Sequence, residues 1–217
     1  TQSLDGIVMP VRIDLAASCV GMISPRERYT LGDKLQAGDA IILLASSGIH
    51  ANGLTLARAL ADRLSDGYAT LMPSGQMYGE GLLAPTVLYA QVLEALFTAG
   101  IDIHYLANIT GHGWRKIMRH SAKFSYHLTS LPDVPEVLQF MVDQGPIDLR
   151  EAYGSLNMGA GFAVFVPAAQ AAEAVTLAAR QGITAWEAGT VREGDKQVVI
   201  EPLEIVYEGS SLAVRSE

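Results

Sequence analysis

Residues 40–45, Ala-Ile-Ile-Leu-Leu-Ala, are an apolar run that stops at Ser46-Ser47-Gly48-Ile49-His50-Ala51-Asn52-Gly53 and gives way to a helical pattern at Leu54. A short apolar run bounded by turn residues reads as a buried strand. The chain must therefore leave a strand through a small, polar, glycine-punctuated loop and enter a helix start, where backbone N–H groups point outward. Anions bind well at such junctions. Ser46, Ser47, His50 and Asn52 add side-chain hydrogen-bonding groups to the same turn, which makes it the leading candidate site. Ser and Asn before a helix also serve as ordinary caps, and glycine as an ordinary turn residue, so local sequence leaves both readings open.

The 217 residues are 49% apolar and only 18% charged, enough for a large folded core and too apolar for disorder. So thin a charge density fits either a large core or an apolar surface covered by a partner domain or subunit. A net charge of −8, without any Lys/Arg cluster interleaved with aromatics, argues against nucleic-acid binding. No signal-peptide pattern and no run of about 18 apolar residues occurs, so export and membrane spanning lack support. The single cysteine, Cys19, lies in the apolar run 16–20; it reads as a buried structural thiol in a reducing cytoplasm.

Strands are expected at about 14–23, 39–45, 102–108, 124–129, 161–167, 184–190 and 197–201. Helices are expected at 54–64, from Pro85 to Gly100, and at 113–119, 134–143 and 168–180. The alternation implies an α/β layered domain with a mixed sheet, and residues 161–201 read as part of a split βαβ unit. Residues 65–81 read as an irregular connection, and 208–217 as a frayed tail.

Two further glycine-rich turns stand out. Asn108-Ile109-Thr110-Gly111-His112-Gly113-Trp114 leads from a strand into a helix. His112 there is a candidate anion or base contact, or simply a solvated loop residue. Asn157-Met158-Gly159-Ala160-Gly161 precedes a strand and cannot be a dinucleotide fingerprint; it reads as a close-packing turn with Asn157 facing either the protein or a ligand. No P-loop, no nucleophile elbow and no HxxxH pair occurs, so no metal site is expected, and His104 and His127 read as hydrogen-bonded sheet histidines.

Taken in order, these stretches resemble the C-terminal domain of the aminoimidazole ribonucleotide synthetase (phosphoribosylformylglycinamidine cyclo-ligase) family over nearly the whole chain. The family loop S-S-G-P-H-S-N-G stands here as residues 46–53, and L-L-x-P-T-R-I-Y stands as Leu82-Leu83-Ala84-Pro85-Thr86-Val87-Leu88-Tyr89. T-G-G-G-F becomes Thr110-Gly111-His112-Gly113-Trp114, and Y-R-T-F-N-x-G-x-G-M becomes residues 153–162. The departures are as plain: Ile49 and Ala51 replace Pro and Ser, Val87 and Gly154 stand where the family has arginine, and no nearby lysine replaces those guanidinium groups.

The resemblance implies a three-layer α/β/α domain over 39–207 with a mixed sheet and a ferredoxin-like split βαβ portion. Residues 1–38 would be a lead-in strand and connection from an N-terminal ATP-binding domain, and 208–217 a tail. It implies an ATP-dependent, dimeric cyclo-ligase of purine biosynthesis whose ATP and Mg ligands lie mostly in that N-terminal domain, so that this chain alone is inactive. A phosphorylated small-molecule substrate would meet Ser46, Ser47, Gly48, Asn52 and Gly53 on one edge and Thr110, Gly111 and Gly113 on the other, with Asn157 adjoining and His50 as catalytic contact. The departures leave two alternatives: a kinase-type phosphotransferase of the same superfamily, and a non-catalytic binding module.

Overall fold

The computed structural model describes residues 17–212, organised around β1 (Asp39–Ala45). β1 is buried on both faces by the helical layers, and both of its edges are occupied: β4 (Ala160–Pro167) and β5 (Ala185–Glu193) each pair with it antiparallel. β2 (Tyr105–Asn108) adds antiparallel to β4. The connections β1 to β2 and β4 to β5 carry α3 (Ala90–Thr98) and α6 (Ala171–Arg180). The order β2-β4-β1-β5 with these two crossovers is the ferredoxin-like split βαβ arrangement. β3 (Phe124–Leu128), β6 (Gln197–Ile200) and β7 (Ile205–Glu208) extend the sheet beyond β5 to seven strands; β3 and β6 run parallel, so the sheet is mixed.

Side chains alternate across β1 and build two cores. Ala40, Ile42 and Leu44 pack with Val92 and Leu96 of α3 and with Ala171, Ala174 and Ala178 of α6. Ile41 and Leu43 face the opposite layer, which holds α1 (Leu54–Ala61), α2 (Tyr78–Leu82), α4 (Glu136–Gln144), α5 (Leu149–Ser155) and the 3₁₀ segment Gly113–Met118. Helices thus cover both faces, and the three-layer reading holds. No helix among the described residues is long and apolar enough to cross a membrane.

Several elements differ from expectation. Residues 17–23 form no strand and lie exposed with no neighbour to pair with, while residues 14–16 of that expected strand fall outside the described residues. Cys19 sits in this stretch and is exposed, not buried. The helix expected from Pro85 starts only at Ala90: residues 84–88 stay irregular, and the Pro85 carbonyl accepts the Ser47 hydroxyl at 2.5 Å. The 65–81 connection contains most of the short helix α2, whose Tyr78 is fully buried. α5 and β7 were not anticipated. Residues 209–212 are a 3₁₀ turn and not a frayed end, because Arg115 donates to the Ser211 carbonyl at 2.8 Å; residues 213–217 lie outside the described residues.

Candidate functional site

The three glycine-rich turns converge. Residues 157–161, leading into β4, form the hub. The Ser46 N–H donates to the Gly159 carbonyl at 2.9 Å and the Ile109 N–H to the Gly161 carbonyl at 3.0 Å, so one turn holds the exits of both β1 and β2. A register shift between Leu44 and Ala45 against β4 opens the sheet where the first loop begins.

Asn157 is 2% exposed and faces the protein. Its Oδ1 accepts from the Ser46 hydroxyl at 2.7 Å and from the Gly159 N–H at 3.1 Å, and its Nδ2 donates to the Gly48 carbonyl at 2.8 Å. The Trp114 indole N–H donates to the Asn157 carbonyl at 2.7 Å, tying in the second turn. Ser46, Gly48 and Asn157 therefore form one bonded unit.

His50 is half-buried and left-handed, at φ +56°. The Ser47 N–H donates to His50 Nε2 at 3.1 Å, which assigns the neutral ring its proton at Nδ1. Burial lowers the His50 pKa below the ordinary imidazole value, which favours the neutral ring. Its ring lies 6.4 Å from that of Tyr89, whose hydroxyl donates to the Ala45 carbonyl at 2.8 Å. Ser47 also borders a cleft of about 330 Å³ shared with Gln76, Glu80, Pro85 and Glu136.

Asn52 joins the two turns. Its Nδ2 donates to the Ser155 carbonyl at the end of α5, and its Oδ1 lies 3.3 Å from where a Cβ on Gly111 would stand. Gly53 and Gly113 are both left-handed, at φ +82° and +51°, and both press on the same helix end: a Cβ on Gly53 would strike Leu156, and one on Gly113 the Tyr153 carbonyl oxygen. Thr110 accepts from the Lys116 ammonium group through its hydroxyl.

Of the four non-glycine residues with positive φ among the described residues, three, His50, His112 and Met158, fall one in each turn. Backbone strain of this kind costs about 1 kcal/mol or more per residue and persists where surrounding structure over-determines it.

The structure adds groups that the sequence did not single out. Gly111 and His112 open on a second cavity, of about 430 Å³, lined also by Lys116, Arg119, Lys196 and Leu212. Lys116 and Arg119 follow the turn three residues apart, a signal visible in sequence; Lys196 arrives from the β5–β6 loop and carried none. Nor is Gly154 without a guanidinium neighbour, since Arg115 Nε donates to its carbonyl at 2.9 Å. His104 is hydrogen-bonded, to Asp39 at 2.8 Å, and so is His127, to Glu201 at 2.9 Å. No group of three His, Cys, Asp or Glu residues able to hold a metal ion occurs among the described residues.

The family model for the AIR synthase related protein, C-terminal domain, matches residues 36–201. The chain belongs to this family. It is 33% identical over 204 residues to the phosphoribosylformylglycinamidine cyclo-ligase of Picosynechococcus sp., covering 92% of this chain and 60% of that protein. To the cyclo-ligase of Methanothermobacter thermautotrophicus it is 36% identical over 203 residues, covering 93% and 58%. The chain thus spans about three fifths of the length of these curated relatives, corresponding to their C-terminal part. The fold is also that of a hydrogenase maturation protein HypE, with a TM-score of 0.57 at 19% identity, covering 90% of this chain and 59% of that one. A HypE structure in complex with ATP matches at 0.53 and 20% identity, covering 82% and 52%.

Proposed function

We propose that this AIR synthase-family chain is the substrate-binding C-terminal half of an ATP-dependent cyclo-ligase of purine biosynthesis, working in the cytoplasm. The observation that carries the reading is its match to the C-terminal part of the cyclo-ligases, with the three turns in family order and packed on one hub. In the proposed reaction ATP phosphorylates an amide or carbonyl oxygen of the substrate; an internal nitrogen then attacks that carbon, and the oxygen leaves with phosphate. Such chemistry depends on positioning and charge stabilisation and needs no covalent protein nucleophile.

In this reading Ser46, Ser47, Gly48, Asn52 and Gly53 form one edge of the cleft, and Thr110, Gly111 and Gly113 the other. Asn157 fixes the first edge from behind. His50, whose Nε2 lies against the Ser47 N–H and hydroxyl, is the acid/base contact. The donor set of the described residues offers no cluster of carboxylates for Mg. The proposal therefore leaves ATP and Mg to an N-terminal domain, which becomes the first partner; a second copy of the protein is the other. Leu83 and Leu88, 81% and 80% exposed, support an apolar face covered by such a partner.

The test uses the complete two-domain protein, with His50→Asn and Asn52→Ala assayed for ring-closed product. A fall of roughly a hundredfold or more in kcat/KM for His50→Asn supports the role. Unchanged turnover and substrate affinity in both variants would remove it. Release of a phosphorylated product in place of a ring-closed one would reassign the protein to phosphotransfer.

A further inference from the structure

The cavity beside the 110–113 turn has a chemistry that the first loop lacks. In a chain of net charge −8, Lys116, Arg119 and Lys196 line one open cavity together with His112. The three cations come from two separate stretches of sequence, the 3₁₀ segment with its C-cap Arg119 and the β5–β6 loop. Among the described residues none of the three has a carboxylate partner, whereas Arg28, Lys34 and Arg192 each have one. The nearby Arg115 is already committed, with its guanidinium on the carbonyls of Gly154 and Ser211. Lys116 is held within the group by Thr110, and both burial and the Arg119 charge press its pKa below the usual lysine value. Like charges gathered without a counter-ion are unfavourable unless an anion joins them.

The first loop is the opposite case. Its Ser46 and Ser47 hydroxyls and its Asn52 amide donate to protein acceptors, and no cation lines the cleft beside Ser47. A volume of about 430 Å³ suits part of a small molecule. A guanidinium fork with two ammonium groups suits a dianion with three free oxygens.

We propose that the His112–Lys116–Arg119–Lys196 pocket holds the phosphomonoester of the small-molecule substrate, with Gly111 and Asn52 leading from it to the His50 loop. The assignment rests on the cyclo-ligase reading for the identity of the ligand, and on the cavity alone for its charge. The test is a calorimetric titration of the 217-residue chain with ribose 5-phosphate, ribose, inorganic phosphate and ADP, repeated on Arg119→Gln, Lys196→Gln and their double variant. Both side chains reach the cavity from the surface, and an unchanged urea midpoint checks that each variant folds.

Saturable binding of ribose 5-phosphate and phosphate but not ribose, weakened at least tenfold in each single variant, is the expected result. Equal affinity for ribose and ribose 5-phosphate, or equal affinity in wild type and double variant, would overturn it. Tighter binding of ADP than of ribose 5-phosphate at the same residues would overturn it too, by assigning the pocket to nucleotide. Phosphate binding that persists while the two-domain protein makes no ring-closed product would uphold the pocket and sink the cyclo-ligase reading.

Discussion

Asn157 Oδ1 accepts the Ser46 hydroxyl at 2.7 Å, joining residues 111 positions apart at the mouth of the candidate cleft. Because Nδ2 of the same amide holds the Gly48 carbonyl, one buried side chain fixes both ends of the Ser46–Gly48 turn.

Replacing Asn157 by Ala leaves the Gly48 carbonyl and the Ser46 hydroxyl without their partner. The expected loss is about 3 kcal/mol, read as a lower urea midpoint at unchanged slope.

Gly113→Ala is expected to cost about 4 kcal/mol or more, since the added carbon meets backbone oxygen of α5 that has nowhere to go. Gly182→Ala, at φ +75° with nothing within 4 Å, carries only the left-handed penalty of about 1 kcal/mol. Parallel denaturation curves separate packing from backbone strain.

His50 is easier to protonate in the unfolded chain than in the folded one, because burial disfavours its charged form. Below the ordinary imidazole value of 6.5 the unfolded state binds the extra proton. Its stabilising contribution is complete above that pH and declines as pH falls through the folded-state pKa. His50→Asn, which keeps a residue tolerant of positive φ, should flatten the slope of stability against pH below neutrality. A slope identical to wild type would contradict the assignment.

Tyr89→Phe removes the donor on the last carbonyl of β1. A loss of about 1 kcal/mol is expected by thermal or chemical unfolding, with the fold retained.

Much of this architecture is visible in the chain itself. The apolar run at 40–45 announces a strand buried on both faces, and the spacing of the glycine turns places three loops that do meet. What sequence could not show is long-range. β7 is a four-residue strand with alternating exposure that β6 recruits, and Ile205-Val206-Tyr207-Glu208 carries little strand signal alone. Pro85 is a good first-turn residue, yet its carbonyl is occupied by Ser47, and the helix waits until Ala90. Val20, Met22 and Ile23 look like a strand, but among the described residues none pairs with them and they stay exposed. The cationic pocket was hidden for a similar reason, as Lys196 lies 80 residues from Lys116 in sequence and joins it only through the β5–β6 loop.

β1 sits between β4 and β5, strands that begin more than a hundred residues after it ends. During synthesis the Ser46–Gly53 loop is therefore made early and shaped late. A ribosome that has released residue 150 has exposed the whole loop but neither of the strands that flank its base. Closing such distant contacts is slow compared with forming local helices. Until residue 167 emerges β1 has neither edge satisfied, and until residue 193 emerges only one, which marks β1 as the segment for chaperones to guard and for aggregation to claim.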